Sequence, residues 1–312
     1  MMEKKSPFDL VSDDSDHRFS HHNIHKNCFT DSNSFAYRRI MNEWKFLAKH
    51  LPDSIHVKAY EHRIDLLRAV IIGSPGTPYQ DGLFFFDIAL PEDYPFSPPK
   101  IHYISFGYRL NPNLYPAGTV CVGLPNTWNW KGKKFQSWTP ATTLLAVLLS
   151  IQAMVLNEKP LFNNPAYSVS DYSLLESKAR AYNGAVFVLT CCSALCLIQK
   201  PPKNFEGFVR EHFRERGYVL LVACNEYANG RVRDGHYGYN SNNSNVIEVT
   251  ESFQKLLRSA YGSMFKKFLE CGASLEGFVA ELEVEVPVQE KRSNGGKGIF
   301  KKAMGKIKQV LG

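Results

Sequence analysis

The run Leu83–Ile104, "LFFFDIALPEDYPFSPPKIHYI", decides the architecture. It opens with aromatic and branched residues that favour a strand. It then passes through "YPFSPPK" (Tyr94–Lys100), where three prolines remove backbone donors and fix φ, so this piece cannot join a central ladder. Strand character resumes in "KIHYIS". Toward the N-terminus the same alternation appears in "IHVKAYE" (Ile55–Glu61) and "IDLLRAVIIG" (Ile64–Gly73), with the turn "SPGTPYQDG" (Ser74–Gly82) before Leu83. Four strands separated by turns predict an antiparallel meander.

Helical spacing flanks the meander. From Ser34, Ile40, Trp44, Leu47 and Leu51 share one face, with Met41 and Ala48 beside them, while Arg38, Arg39, Lys45 and Lys49 point mostly to water. Ser34 or Asn33 is suited to cap this helix, and Pro52 ends it. Past the meander lies a long irregular segment, followed by helices predicted at about 140–156, 170–199 and 203–216, the last two separated by "KPPK". One helix, a meander, a loop and further helices make an α+β fold. Residues 1–33, rich in Ser, Asp, His and Asn, are read as disordered, and 34–228 as the main domain. "NGRVRDGHYGYNSNNSN" (229–245) is a linker, and 246–312 a helical extension ending in a basic tail. In that extension Phe253, Leu256, Leu257, Ala260, Met264, Phe265 and Phe268 form one apolar face closed by Gly272.

Composition narrows the function classes. The 312 residues are 44% hydrophobic, enough for a sizeable core. The net charge of +7 is local: residues 291–312 hold seven Lys or Arg and no acid, leaving 30 basic against 30 acidic residues elsewhere. A neutral body argues against a nucleic-acid-binding protein. The first residues are charged where a secretory signal would be apolar, and the seven cysteines are irregularly spaced. Reduced thiols in the cytoplasm or nucleus are therefore expected. The apolar runs "LLAVLLSIQAMVL" and "FVLTCCSALCLI" read as buried helices, too short to span a bilayer. Cys191, Cys192 and Cys196 are accordingly read as core. The His17, His21, His22, His25 and Cys28 group has no neighbours to fix a metal geometry, so no metal site is assigned.

Cys121 lies in "LNPNLYPAGTVCVGL" (Leu110–Leu124), eight positions after Asn113. Val120, Val122 and Leu124 suit a packing residue; Gly118, Gly123, Asn111, Asn113, Thr119 and Asn126 suit an exposed, polar-supported nucleophile. Compartment disfavours a disulfide, and the lack of closely spaced Cys or His disfavours zinc. Composition alone favours packing.

The wider pattern changes that reading. "GTPYQDGLFFFDIALPEDYPFSPPKIHYI", then "NPNLYPAGTVC", then "WTPATTLLAVLLSIQAMV" resemble the ubiquitin-conjugating enzymes, over roughly Ser34 to Tyr227. The resemblance implies the fold already outlined and a catalytic Cys121 that accepts ubiquitin as a thioester from an activating enzyme and passes it to a lysine amine. It implies no cofactor and no metal, since ATP is used upstream by the activating enzyme. Asn113 falls on the family asparagine, read either as an oxyanion donor or as a brace of the loop through backbone hydrogen bonds. Asn111 stands where the family has histidine; its amide is suited to the same bracing, and Asn111→His is expected to be tolerated. The resemblance also implies a surface for a ubiquitin ligase made of Phe96, Pro140, Ala141 and the first-helix bases Arg38 and Lys45, with plain loop packing as the alternative for Phe96. Glu158, in a shortened "EKPL", is a candidate to activate the incoming lysine. The insertion "NTWNWKGKKFQ" (126–136) carries Lys131, Lys133 and Lys134, either self-modification sites or a solvated loop. These departures, with "RLNPNLY" and "VCVGL", are most similar to the catalytic domain of the family's large conjugase–ligase hybrids. A non-catalytic scaffold that binds ubiquitin or another partner would characteristically lack the cysteine that this chain retains. Finally, in residues 297–312, Phe300, Met304, Ile307 and Leu311 share a helical face flanked by lysines, a pattern suited to weak contact with anionic membranes.

Overall fold

The computed structural model describes residues 6–21, 27–121, 138–167, 174–228 and 251–276. The insertion lysines, the linker 229–245 and the basic tail lie outside the described residues. An α+β fold is found, as expected. Strands β2 (Ile55–Tyr60), β3 (Arg63–Ile72), β4 (Leu83–Ala89) and β5 (Lys100–Tyr103) form the antiparallel meander. The proline block between β4 and β5 stays outside the ladder.

The sheet has a fifth strand that the sequence reading placed in a disordered region. Among the described residues the order is β1-β2-β3-β4-β5, with β1 (Phe8–Val11) parallel to β2. Parallel pairing is available because the chain runs through α1 (Asn27–Thr30) and α2 (Phe35–His50) before returning as β2. The disorder expected for 1–33 therefore fails for residues 6–21 and 27–33. Their polar composition gives no periodic signal; the first stretch is tied to charged partners far along the chain, and the second is anchored in the core by Phe29. Asp16 reaches Arg68, 52 residues away, at 2.8 Å.

Helix α2 starts at Ser34, whose hydroxyl accepts from the Tyr37 N–H at 3.0 Å. Ala36, Ile40, Glu43 and Leu47 are its buried positions. Ala48, expected beside the apolar face, is exposed, and Glu43 takes a buried place instead. After the irregular segment come α3 (Leu144–Ser150), whose last turn widens into a π-turn at Ile151–Val155, and a 3-10 turn at Pro160–Asn163. Helix α4 (Glu176–Gln199) exceeds the short apolar run read from sequence: by length and composition alone its 24 residues are long and apolar enough to cross a membrane. It is nevertheless a core helix, buried from Tyr182 through Ala194. Cys191 and Cys192 lie in that core, and Cys196 at its margin.

Helix α5 (Glu206–Ala228) is longer than the predicted 203–216, and α6 (Glu251–Glu270) packs against α5 and α4. Leu256, Leu257, Met264 and Phe268 join the same hydrophobic core as the sheet. The extension expected from 246 onward thus contributes to the main core. Gly272, at φ +86°, ends α6 as expected.

Candidate active site

The site is built on the irregular segment that follows β5. Leu110 and Leu114 are fully buried and anchor it in the core. The chain then doubles back: the Tyr115 N–H donates to the Thr119 carbonyl at 3.0 Å, and the Tyr103 N–H to the Gly118 carbonyl at 2.8 Å. Only glycine serves at 118. Its φ is +87°, and a Cβ there would come within 2.0 Å of the His102 ring.

Asn111 is the centre of this loop and has no exposed surface. Its amide nitrogen donates to the Tyr79 hydroxyl at 2.8 Å and to the Val155 carbonyl at 2.7 Å. Its amide oxygen accepts from the Asn113 backbone N–H at 2.8 Å and from the Asn163 amide at 3.3 Å. The Val155 carbonyl ends the π-turn, so Asn111 and Asn163 satisfy a helix-terminal acceptor that would otherwise be orphaned. The Tyr79 hydroxyl in turn donates to the Leu110 carbonyl at 3.0 Å. Burial raises the Tyr79 pKa well above its ordinary value, keeping the hydroxyl a neutral donor and acceptor. Tyr79 and Asn163 were not singled out in the sequence. Tyr79 sits in the quoted turn "SPGTPYQDG", but nothing local reveals its partner 32 residues away.

Asn113 connects this brace to Cys121. Its backbone carbonyl accepts from the Cys121 N–H at 2.8 Å. Among the described residues its side-chain amide has no hydrogen-bond partner, which leaves a donor free beside the cysteine loop. Cys121 is a free, half-buried thiol, unlike Cys191, Cys192 and Cys224, which are buried. The hydrogen bond with the Cys224 thiol, then burial, push the Cys191 pKa up, and burial raises that of Cys192. These core thiols are thus poor nucleophiles. Glu158 is exposed, and its backbone carbonyl accepts from the Asn183 amide at 2.9 Å. No hydrogen bond or ion pair ties its carboxylate to the cysteine loop among the described residues. Nor does any group of three or more His, Cys, Asp or Glu there form a metal site.

The expected partner surface is a separate assembly. Phe96, 64% exposed, stacks on the equally prominent Phe35 at 5.7 Å between ring centroids. Pro140, Ala141, Arg38 and Lys45 are all exposed. The elements bearing them are clasped by Glu43 on α2. Its carboxylate accepts from the Tyr94 hydroxyl at 3.0 Å and from the Leu144 N–H at the start of α3 at 3.0 Å. Arg39 pairs with it at 2.8 Å and also donates to the Thr142 carbonyl. The Trp138 indole donates to the Pro95 carbonyl at 2.7 Å, closing the gap between the two loops. Phe35 and Glu43 were missed in the sequence. Glu43 carried a readable signal, since it lies between Ile40 and Leu47 on the buried stripe.

The profile of the ubiquitin-conjugating enzyme family matches residues 39–188. The chain is 46% identical over 226 residues to the putative ubiquitin-conjugating enzyme E2 38 of Arabidopsis thaliana, covering 72% of this chain and 68% of that protein. It is 41% identical over 280 residues to the probable ubiquitin-conjugating enzyme E2 23 of the same plant, covering 87% of this chain but 24% of the relative. It is also 33% identical over 236 residues to the human dual E2 ubiquitin-conjugating enzyme/E3 ubiquitin-protein ligase BIRC6, covering 70% of this chain and 5% of that protein. The chain therefore spans only about a quarter to a third of the length of several curated relatives it matches. With the meander, the π-ended helix and the braced cysteine loop in place, the chain belongs to the ubiquitin-conjugating enzyme family.

Proposed function

We propose that the chain carries ubiquitin as a thioester on Cys121 and transfers it to a lysine amine. The observation that supports this most is a half-buried thiol at the end of a loop whose backbone is held by Asn111 and Asn113. In loading, the Cys121 thiolate attacks the ubiquitin thioester on the activating enzyme. A new S–C bond forms and the activating enzyme's cysteine leaves as thiolate. In transfer, the lysine amine attacks the carbonyl carbon, the C–N bond forms, Cys121 leaves as thiolate, and the amine loses a proton. The tetrahedral intermediate carries an oxyanion, and the unpartnered Asn113 amide is the donor assigned to it. Phe96 and Phe35, with Pro140, Ala141, Arg38 and Lys45, form the surface proposed for a ligase. An exposed aromatic pair on a clasped, rigid base is suited to act as an anchor.

Activating enzyme, ATP and ubiquitin, followed by a non-reducing gel, test the reading. Wild type should form a reductant-sensitive adduct, Cys121→Ser a reductant-resistant oxyester, and Cys121→Ala none. Asn113→Ala should load but discharge onto free lysine about 10²–10³-fold more slowly in single turnover. A reductant-sensitive adduct on Cys121→Ala would remove Cys121 from the mechanism.

A further inference from the structure

The outer face of the sheet is crossed by a strap, residues 11–20. In register across the strands, Arg68 lies opposite Asp87, and Asp87 opposite His102. Arg68 is wholly buried and is held by Asp87 at 2.6 and 3.1 Å, and by the Asp16 carboxylate and carbonyl of the strap at 2.8 and 3.2 Å. The Arg18 N–H also donates to Asp87 at 2.8 Å, and Val11 and Phe19 pack on Tyr60, Leu66 and Ala89.

The strap's outer edge is fastened differently. Ser15 is exposed, and its hydroxyl donates to the Asp13 carboxylate at 2.5 Å while accepting from Lys203 Nζ at 2.6 Å. Lys203 also donates to Asp13 at 2.9 Å through Nζ and to Asp16 at 3.0 Å through its backbone N–H. The Asn204 amide donates to the Asp13 carbonyl at 2.8 Å. One serine hydroxyl therefore sits in the junction between the strap and the turn joining α4 to α5, with Asp13, Asp14 and Asp16 around it.

We propose that Ser15 is a phosphorylation site for an acid-directed serine kinase, and that the phosphate releases the strap from the sheet. "SDDSD" (Ser12–Asp16) offers an exposed serine flanked by carboxylates, the peptide chemistry that a kinase with a basic peptide cleft binds. In the reaction the Ser15 oxygen attacks the γ-phosphorus of ATP, the O–P bond forms, ADP leaves, and the hydroxyl proton passes to the kinase's base. The product has no proton to donate to Asp13, and it places nearly two negative charges against three carboxylates. Lys203 Nζ already pairs with Asp13 and meets Asp16 only through its backbone N–H, so its single charge leaves the phosphate and the three carboxylates in net negative excess. Like-charge repulsion then opens the junction, Asp16 withdraws from Arg68, and the face bearing Tyr60, Leu66 and Ala89 is uncovered.

The full chain, treated with an acid-directed kinase and Mg-ATP, is mapped by tandem mass spectrometry and followed by hydrogen exchange. One phosphate on Ser15 is expected, absent from Ser15→Ala. Exchange should be at least about tenfold faster in peptides covering 8–20, with α4 still protected. Lys203→Met should accelerate the same peptides without phosphate. No phosphate on Ser15, phosphate placed on Ser12 instead, or unchanged exchange after Ser15 modification would overturn the proposal. Unaltered exchange in Lys203→Met, or faster exchange throughout α4, would do the same.

Discussion

At the scale of single residues, Asn111 shows how a position that departs from the family pattern is held. Its amide makes four hydrogen bonds, using two donor hydrogens and two acceptor sites. A neutral imidazole has one donor and one acceptor nitrogen. Asn111→His, expected from the family pattern to be tolerated, therefore gives up at least two of these four hydrogen bonds in a site with no exposed surface, although Val155 and Asn163 keep each other as partners and Tyr79 keeps Leu110. Each lost hydrogen bond costs about 0.5–1.5 kcal/mol net. The variant should lose about 1–3 kcal/mol of unfolding free energy by urea titration, and its cysteine loop should exchange faster. An unchanged midpoint would mean that Tyr79 and Asn163 rearrange to suit the ring. The same reasoning explains why Glu43 is not an anomaly in the core: three elements direct donors at its carboxylate.

At the scale of elements, the informative contact is between α5 and α6. A Cβ at Gly217 would lie 2.9 Å from the Phe268 ring, so the helices approach as closely as a glycine permits. Phe268 is fully buried and stacks on Phe213 at 5.8 Å. Phe268→Ala should cost about 3–5 kcal/mol, through lost burial and the cavity left behind. Gly217→Ala should cost about 1–3 kcal/mol by overpacking. Because both effects act through the same ring, the Gly217→Ala penalty should largely disappear in the Phe268→Ala background, a coupling that a double-mutant cycle in urea would measure. Additive losses would place the strain at Gly217 elsewhere. Neither change touches the cysteine loop, so the folded fraction of each variant should give the same result as wild type in the assay proposed for Cys121.

At the scale of the whole molecule, histidines make stability depend on pH. His17, His56, His102 and His212 all have pKa values lowered from the ordinary 6.5, with burial the first cause in each case. A histidine held below its unfolded value binds protons more readily when unfolded. Its contribution is therefore complete above pH 6.5 and is lost as pH falls from there to the folded pKa. Each such group adds at most about 1.4 kcal/mol per pH unit. His17 Nε2–H donates to the Leu67 carbonyl at 3.0 Å while Nδ1 accepts from the Phe19 N–H at 3.2 Å, so a second ring proton, on Nδ1, would displace the strap. Asp87 and Asp16 oppose the lowering of its pKa, while Arg68 reinforces it. Urea unfolding of wild type should weaken between pH 7.5 and 5.5, and His17→Gln should flatten that slope by up to one proton. Equal slopes for the two proteins would show that His17 does not titrate on unfolding.

What could be read from the chain alone was whatever local chemistry specifies. Alternation and turn residues defined β2 to β5, the prolines of "YPFSPPK" broke the ladder, and Ser34 and Gly272 bounded their helices as their side-chain and backbone preferences require. The same local signals set Cys121, Asn111 and Asn113 into one short loop. The rest depended on partners distant in sequence. The strand β1 and its strap are ordered by Arg68 and Asp87, Glu43 is justified only by Tyr94 and the start of α3, and α6 enters the core because α5 presents Gly217 to Phe268. Glu43 and Phe268 do fall on periodic stripes, but nothing local to either names the partner it needs. Burying a charge, or approaching a bare backbone, becomes favourable only when the complementary group arrives from elsewhere in the chain, and tertiary structure alone decides that.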